Sequence, residues 1–402
     1  MSTIDLDFDP RGAVSRMSAP ARVLCALLAR IEHGGVQLHV PGGVVMRFGS
    51  RDAADVAQLV IHDWRMASAT LRRGDVGFGE TYMQGLWDTP DLVKLLTVLA
   101  HNQAALERAF NGRAWTRALL RLRHLLQANT RRGSRRNILA HYDLGNAFYA
   151  QWLDPTMTYS SALFDGDFGR TLKAAQQAKY DRILAQLALP ANARVLEIGC
   201  GWGGFAETAA RHGAVVEGIS LSDAQTAYAR ERLVAAGLHA HASVRIADYR
   251  DVRGQYDGIA SIEMFEAVGE RWWPAYFGAV RNALKPGARA CIQAITIDES
   301  RFDGYRTQSD FIQQFIFPGG MLASPTRLRA LAANAGLRLL DEHRFGLDYA
   351  ETLERWLAAF DANVDDIRAQ GFDARFIRCW RFYLAYCAAG FASGSTDVGQ
   401  YT

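Results

Sequence analysis

The chain has 402 residues, 49% hydrophobic and 22% charged, with 45 lysines and arginines against 42 aspartates and glutamates. This is globular composition for two or three domains, and it excludes disorder as the dominant state. No apolar run reaches the ~18–20 residues of a membrane-spanning helix, and five scattered cysteines without CxxC pairs exclude a disulfide framework and a cysteine zinc site. The acidic start, MSTIDLDFDP, does not read as a secretory signal, so a reducing compartment is expected.

In chain order, VQLHVPGGVVMRF (36–48) predicts two short strands around Pro41-Gly42-Gly43. Residues 52–72 predict a helix with Val56, Leu59, Val60 and Trp64 on one face. A loop-rich stretch, GDVGFGETYMQGLWDTPDL, precedes an apolar helix running through Leu99. Residues 113–126 predict a helix with Trp115, Leu119, Leu122 and Leu126 on one stripe and Arg113, Arg117 and Arg121 on another face. The polar ANTRRGSRRN (128–137) reads as a linker and a domain boundary. From Arg108 to Tyr142 there is no acidic residue and there are nine arginines. The near-neutral total therefore hides a local basic segment.

Beyond the linker the pattern alternates. ARVLEIGCG is a buried strand entering a glycine-rich turn, GGFAETAARHG a helix, AVVEGISLS a strand and DAQTAYARERLVAAG a helix. SVRIADYRD, YDGIASIEMF and ARACIQAITI are three more strands. Such alternation predicts an α/β domain, a parallel sheet covered by helices on both faces. The turn reads GxGxGG, with Glu197 two residues before Gly199, followed by Gly201 and Gly203. It lacks the GxGxxG spacing of a dinucleotide site and the GK[ST] of a phosphate loop. A carboxylate near the turn suits a cationic methionine moiety, so S-adenosylmethionine (SAM) is the expected cofactor.

Six stretches, HYDLGNAFYAQWLDPTMTYSSALF (141–164), VLEIGCGWGGFA (195–206), GISLSDAQ (218–225), ADYRD (247–251), EMFEAVG (263–269) and FIFPGGMLAS (315–324), resemble the family of cyclopropane-fatty-acyl-phospholipid synthases and mycolic acid cyclopropane synthases. GFGETYMQGLWDTPDL (77–92) resembles the extra N-terminal domain of the phospholipid-acting branch. The resemblance implies a Rossmann-like class I SAM-dependent methyltransferase domain with helical additions, plus a smaller N-terminal α+β domain. It places Tyr159, Ser160, Glu197, Gly199, Gly201, Gly203, Ser220, Gln225, Asp248 and Tyr249 around SAM. With Ser220-Leu221-Ser222 where many methyltransferases carry an acid, Gln225 is expected to share the ribose hydroxyls.

The reaction implied is methyl(ene) transfer to the cis double bond of an unsaturated acyl chain in a phospholipid, giving a cyclopropane fatty acid. Positioning the alkene does much of the work, and aromatic faces can stabilise the resulting cation by ~0.5–2 kcal/mol per ring. Candidates are Tyr159, Phe265, Trp272, Trp273, Phe315 and Phe317. The aromatic stretch Phe376, Trp380, Phe382, Tyr383, Tyr386 and Phe391 also suits a long apolar substrate. Family members hold a bicarbonate base at five positions, which correspond to Glu266, the backbone at Ile295, Tyr349, Ser161 in place of a Cys and Gln293 in place of a His. Ser161 and Gln293 can donate hydrogen bonds to an anion but carry no positive charge. That departure keeps an alternative open, the same methyl transfer without ring closure, and Glu266 itself could serve as the base if burial raises its pKa.

The expected domains are 1–127, contacting lipid and membrane, 128–137, a basic linker, and 138–402, the SAM-dependent methyltransferase. The arginine-rich segment suits an anionic bilayer, each basic residue contributing ~1 kcal/mol. A peripheral position on the cytoplasmic face of the membrane follows from a phospholipid substrate. No nucleic-acid motif accompanies the arginines, and no metal is expected, since the histidines have no ligand spacing. A homodimer is left open, as is a lipid-binding protein without catalysis or a methyltransferase acting on N or O of a small molecule.

Overall fold

The computed structural model describes residues 17–50, 53–110 and 144–402. The helix expected over 113–126, the basic linker, most of the arginine-rich segment and His141 lie outside the described residues. Two compact units emerge, one of the described residues before 111 with Asp373–Ala389, the other from residue 144 to Phe372 with Gly390–Thr402.

The first unit has a four-stranded sheet in the order β2-β1-β3-β4, from β1 (Gly35–His39), β2 (Val45–Gly49), β3 (Val56–Ile61) and β4 (Trp87–Asp88). β1 and β2 form the expected antiparallel pair, with Gly42 and Gly43 supplying positive φ at the turn. The helix expected over 52–72 is corrected. VAQLVI is strand β3, parallel to β1, and buries Ala57, Leu59 and Ile61 in alternation. The helix begins only at Arg65; its stripe of Val56, Leu59 and Val60 fitted two periodicities, and the sheet decided between them. That helix, Arg65–Met83, bends at Gly74 (φ 59°), so most of the stretch expected to be loop is helical. Trp87 stacks on Phe78 at 4.1 Å and donates its indole N–H to the Phe78 carbonyl at 3.0 Å.

The helix Ala374–Ala392 brings Phe382 against Phe78, Tyr82 and Trp87, while Arg378 lies over the Tyr82 ring and pairs with Asp88 at 2.7 Å. Asp373–Ala389 therefore belongs to the first unit, and the second is not the continuous stretch 138–402. The aromatic residues from Phe376 to Tyr386 go with it, as packing within the first unit. Phe391 alone of that group falls in the second unit, stacked on Tyr349 at 4.4 Å.

The second unit has a seven-stranded sheet in the order β10 (Glu342–Arg344), β11 (Thr396–Tyr401), β9 (Leu284–Ile297), β8 (Tyr256–Ile262), β5 (Arg194–Ile198), β6 (Val215–Ser220), β7 (Ala242–Ile246). All five expected strands are present, as β5, β6, β7, β8 and β9, mutually parallel. β11 pairs antiparallel with β9, and β10 pairs with β11. Two apolar cores flank the sheet, one around Leu196, Ile259, Phe265 and Tyr276, the other around Val195, Phe205, Val216 and Ala260. Because β6 and β8 flank β5 on opposite sides, the chain reverses direction across the sheet at the carboxyl end of β5, where open α/β sheets bind ligands.

Candidate active site

The glycine-rich turn leaves β5 and enters the helix Gly204–Arg211. Gly199 has φ 83°, and a Cβ there would fall 2.8 Å from Met264. Gly201, at φ 50°, faces open space, so its backbone can approach a ligand closely. Glu197 is 3% exposed; burial pushes its carboxyl up to about 8, and Oε2 has no hydrogen-bond partner. An open glycine face beside a buried carboxyl with one oxygen unpartnered fits a cationic amino-acid group. At the end of β6, the Ser220 hydroxyl donates to Gln225 Oε1 at 3.2 Å and accepts from the Ser222 N–H, while the Ser222 side chain caps the helix Asp223–Ala235. Asp248 caps the turn Tyr249–Asp251 and is paired with Arg250 at 2.5 Å.

Tyr159 sits in a ring cluster that reaches Trp202 of the glycine-rich turn. It lies 5.5 Å from Tyr149, 5.4 Å from Trp152 and 5.5 Å from Trp356, and Trp202 joins through Tyr149 at 5.0 Å. Phe265 and Trp273 are instead core, stacked at 5.4 Å. Trp272 lies beneath Arg250 and Arg271, and Phe315 packs on Phe311.

Of the five positions expected around an anion, Ser161, Gln293 and Tyr349 meet at a side chain of the chain itself, while Ile295 and Glu266 bond to each other. Glu263, directly after β8, sends Oε1 to the Ser161 backbone N–H at 2.8 Å and to Gln293 Nε2 at 2.8 Å. Its Oε2 accepts from the Tyr349 hydroxyl at 2.6 Å. The Ser161 hydroxyl is not part of this; it donates to the Ala162 carbonyl, and only the backbone of Ser161 reaches the anion. The Ile295 N–H donates to Glu266 Oε1 at 2.5 Å, so the expected backbone site is filled by Glu266. Glu263 was not among the expected site residues, although it opens the motif EMFEAVG. One signal was a carboxylate directly after the buried strand YDGIASI; another, visible only in the fold, is its left-handed φ of 51°. A non-glycine residue there carries ~1–2 kcal/mol of strain, which functional sites tolerate.

The two carboxyls have different surroundings. Burial pushes Glu263 up, but Tyr349, the Lys179 charge, the Ser161 N–H and Gln293 all favour its ionised form. Glu266 rises to about 8 through burial and the Glu263 charge; backbone N–H groups of Ile295 and of Glu266 itself oppose that rise, and Oε2 is buried without a partner. Of the two buried carboxyls, Glu263 is therefore the one whose surroundings favour the ionised form more. Among the described residues, no group of three or more His, Cys, Asp or Glu is placed to hold a metal ion, and no helix is long and apolar enough to cross a membrane.

A mostly parallel seven-stranded sheet with a glycine turn at its reversal point is the architecture of a class I SAM-dependent methyltransferase, and the protein is such an enzyme. The chain belongs to the mycolic acid cyclopropane synthetase family, whose profile matches residues 129–401. It is 39% identical over 98% of its length to the tuberculostearic acid methyltransferase UfaA1 of Mycobacterium tuberculosis, covering 93% of that protein. It is 35% identical to the cyclopropane-fatty-acyl-phospholipid synthase of Escherichia coli, over 82% of this chain and 83% of that one. Among solved structures, the mycolic acid cyclopropane synthase CmaA1 complexed with SAH and CTAB superposes with a TM-score of 0.61 at 30% identity, over 66% of this chain and 96% of that one.

Proposed function

We propose that this chain methylates the cis double bond of an unsaturated fatty acyl chain in a phospholipid, and that the Glu263 carboxylate removes the proton that the addition leaves in excess. The observation that carries this reading is the Glu263 carboxylate, held by Ser161 N–H, Gln293 and Tyr349 where a bicarbonate was expected. The residues to hold SAM are the turn Gly199, Gly201 and Gly203 with Glu197, Tyr159, Ser160, Ser220, Gln225 and the Asp248-Tyr249 turn. When bound, SAM supplies a methyl group made electrophilic by its sulfonium.

The protein's part follows from its own residues. An alkene carbon takes the methyl, leaving positive charge on its neighbour, and the rings around Tyr159 offer faces to that charge. A carbon–hydrogen bond then breaks, its electrons closing a new double bond and its proton passing to Glu263. The product is methyl-branched and still unsaturated. Two features favour this outcome over the ring. The anion pocket departs from the family pattern at Ser161 and Gln293 and holds the Glu263 carboxylate, and a relative matched over nearly the whole chain is named a methyltransferase, not a cyclopropane synthase. The arginine-rich segment 108–142 supports a role for an anionic bilayer in presenting the substrate.

The test is to supply SAM labelled in its methyl group with vesicles of dioleoylphosphatidylglycerol, then hydrolyse the lipid. Label recovered in the fatty acid is expected. Label confined to the head group or absent from lipid overturns the reading.

A further inference from the structure

Lys179 is 0% exposed, on the helix Leu172–Leu187, and the mechanism above leaves it without a task. Its ammonium donates to the Ser160 hydroxyl at 2.6 Å, and Gln176 on the same helix donates to the Ser160 carbonyl at 2.9 Å. Ser160 precedes Ser161, whose N–H holds Glu263. On the other side, Gln400 of β11 donates to the Lys179 carbonyl at 3.3 Å and to Gln293 Oε1 at 3.1 Å, and Gln293 donates to Glu263. Glu263 is thus linked to Lys179 on two sides, to the ammonium through Ser161 and its chain neighbour Ser160, and to the Lys179 backbone carbonyl through Gln293 and Gln400. Ser161, Lys179, Gln293 and Gln400 are each 0% exposed.

We propose that Lys179 is the positioning residue of this site, the buried cation that keeps Glu263 ionised as the base while fixing, through Ser160, the wall whose Ser161 N–H holds it. This rests on the reading of Glu263 as base. The physical need is clear. Glu263 stands beside a second carboxyl, Glu266, in a water-poor site, where an uncompensated carboxylate takes up a proton. The groups facing Lys179 are the Ser160 hydroxyl, the Tyr180 ring at 4.7 Å and the carboxyls of Glu263, Asp154 and Glu197. Those facing Glu263 are Ser161, Gln293, Tyr349, Lys179 and Glu266. Burial lowers Lys179 to about 7, and the three carboxyls oppose that fall, Glu263 most strongly. A buried ammonium is costly, and the three carboxyls around Lys179 are the charges that offset that cost.

The sign is fixed. Removing the cation favours the neutral form of Glu263, so its pKa rises and the acid limb of activity moves to higher pH. The experiment measures the pH profile of methyl transfer to dioleoylphosphatidylglycerol vesicles for wild type, Lys179→Met, Lys179→Arg and Glu263→Gln. Lys179→Met is expected to lose about tenfold or more at pH 7 and to recover as pH rises, an upward shift of about one unit or more in the limb. Lys179→Arg, which keeps the charge, must hold the limb where wild type has it; Lys179→Gln replaces Lys179→Met if the latter does not fold. An unshifted limb in the neutral variant, or an equal shift in Lys179→Arg, overturns the proposal. Glu263→Gln separates the two claims: inactivity at every pH keeps Glu263 as base whatever Lys179 does, and full activity removes the base reading and the proposal together.

Discussion

Replacing Glu263 by glycine tests the pocket most sharply. Glycine accepts the φ of 51° without the ~1–2 kcal/mol that glutamate carries there. The change removes a carboxylate that accepts three hydrogen bonds, each worth ~1.5–3 kcal/mol to a charged acceptor. It also removes the cost of burying that charge, so stability should change by no more than about 2 kcal/mol. Activity behaves differently. Loss of a positioned base costs about 10²–10⁴-fold, and the Ser161 N–H, Gln293 and Tyr349 are left lining a space shaped for a small anion. In bicarbonate-free buffer, transfer of labelled methyl into lipid should fall by that factor in Glu263→Gly. Added bicarbonate, formate or acetate should restore it with saturation. A variant within a few-fold of wild type without any added anion, or one that no anion restores, refutes the reasoning.

Tyr349→Phe deletes the 2.6 Å hydrogen bond to Glu263 and keeps the stack on Phe391, so activity should fall about 10–100-fold while calorimetric affinity for S-adenosylhomocysteine holds. Glu266 titrates at about 8 in the folded chain, well above an ordinary glutamate, so the folded state holds a proton that the unfolded state has released. Its contribution to stability therefore declines as pH rises from roughly 4.5 to 8. In Glu266→Gln that decline disappears, and melting temperatures should show the variant gaining on wild type toward pH 8. Gly199→Ala places a methyl 2.8 Å from Met264 at φ 83°, costing about 2–4 kcal/mol by thermal unfolding and weakening S-adenosylhomocysteine binding. The triple change Ser161→Cys, Gln293→His and Glu263→Gly, assayed with bicarbonate, should move product toward cyclopropane, read by lipid mass spectrometry after hydrogenation.

The parallel sheet was legible because β5, β6, β8 and β9 are apolar runs buried on both faces and bounded by glycines or charged turns. The motifs in family order pointed to Ser161, Gln293 and Tyr349, which meet at Glu263, and to Glu266 and Ile295, which pair with each other. The carboxylate at the meeting point was not legible. Glu263 meets partners from 30 to 102 residues away, and no local pattern separates such a carboxylate from one in an exposed loop. Strand β3 escaped because Val56, Leu59 and Val60 suit a helix as well as a strand. Helix Ala374–Ala392 shows the same limit: Phe382 and Arg378 mark an apolar partner, but only the fold reveals that the partner is Phe78, Tyr82 and Trp87.

The most direct test of the account is carbon-13 NMR of the lipid formed by wild-type protein from methyl-labelled SAM and dioleoylphosphatidylglycerol in bicarbonate-free buffer. Turnover without bicarbonate, with the label on a branch of a chain that keeps its double bond, is the predicted result. A label found as a cyclopropane methylene, or turnover that begins only when bicarbonate is added, contradicts it.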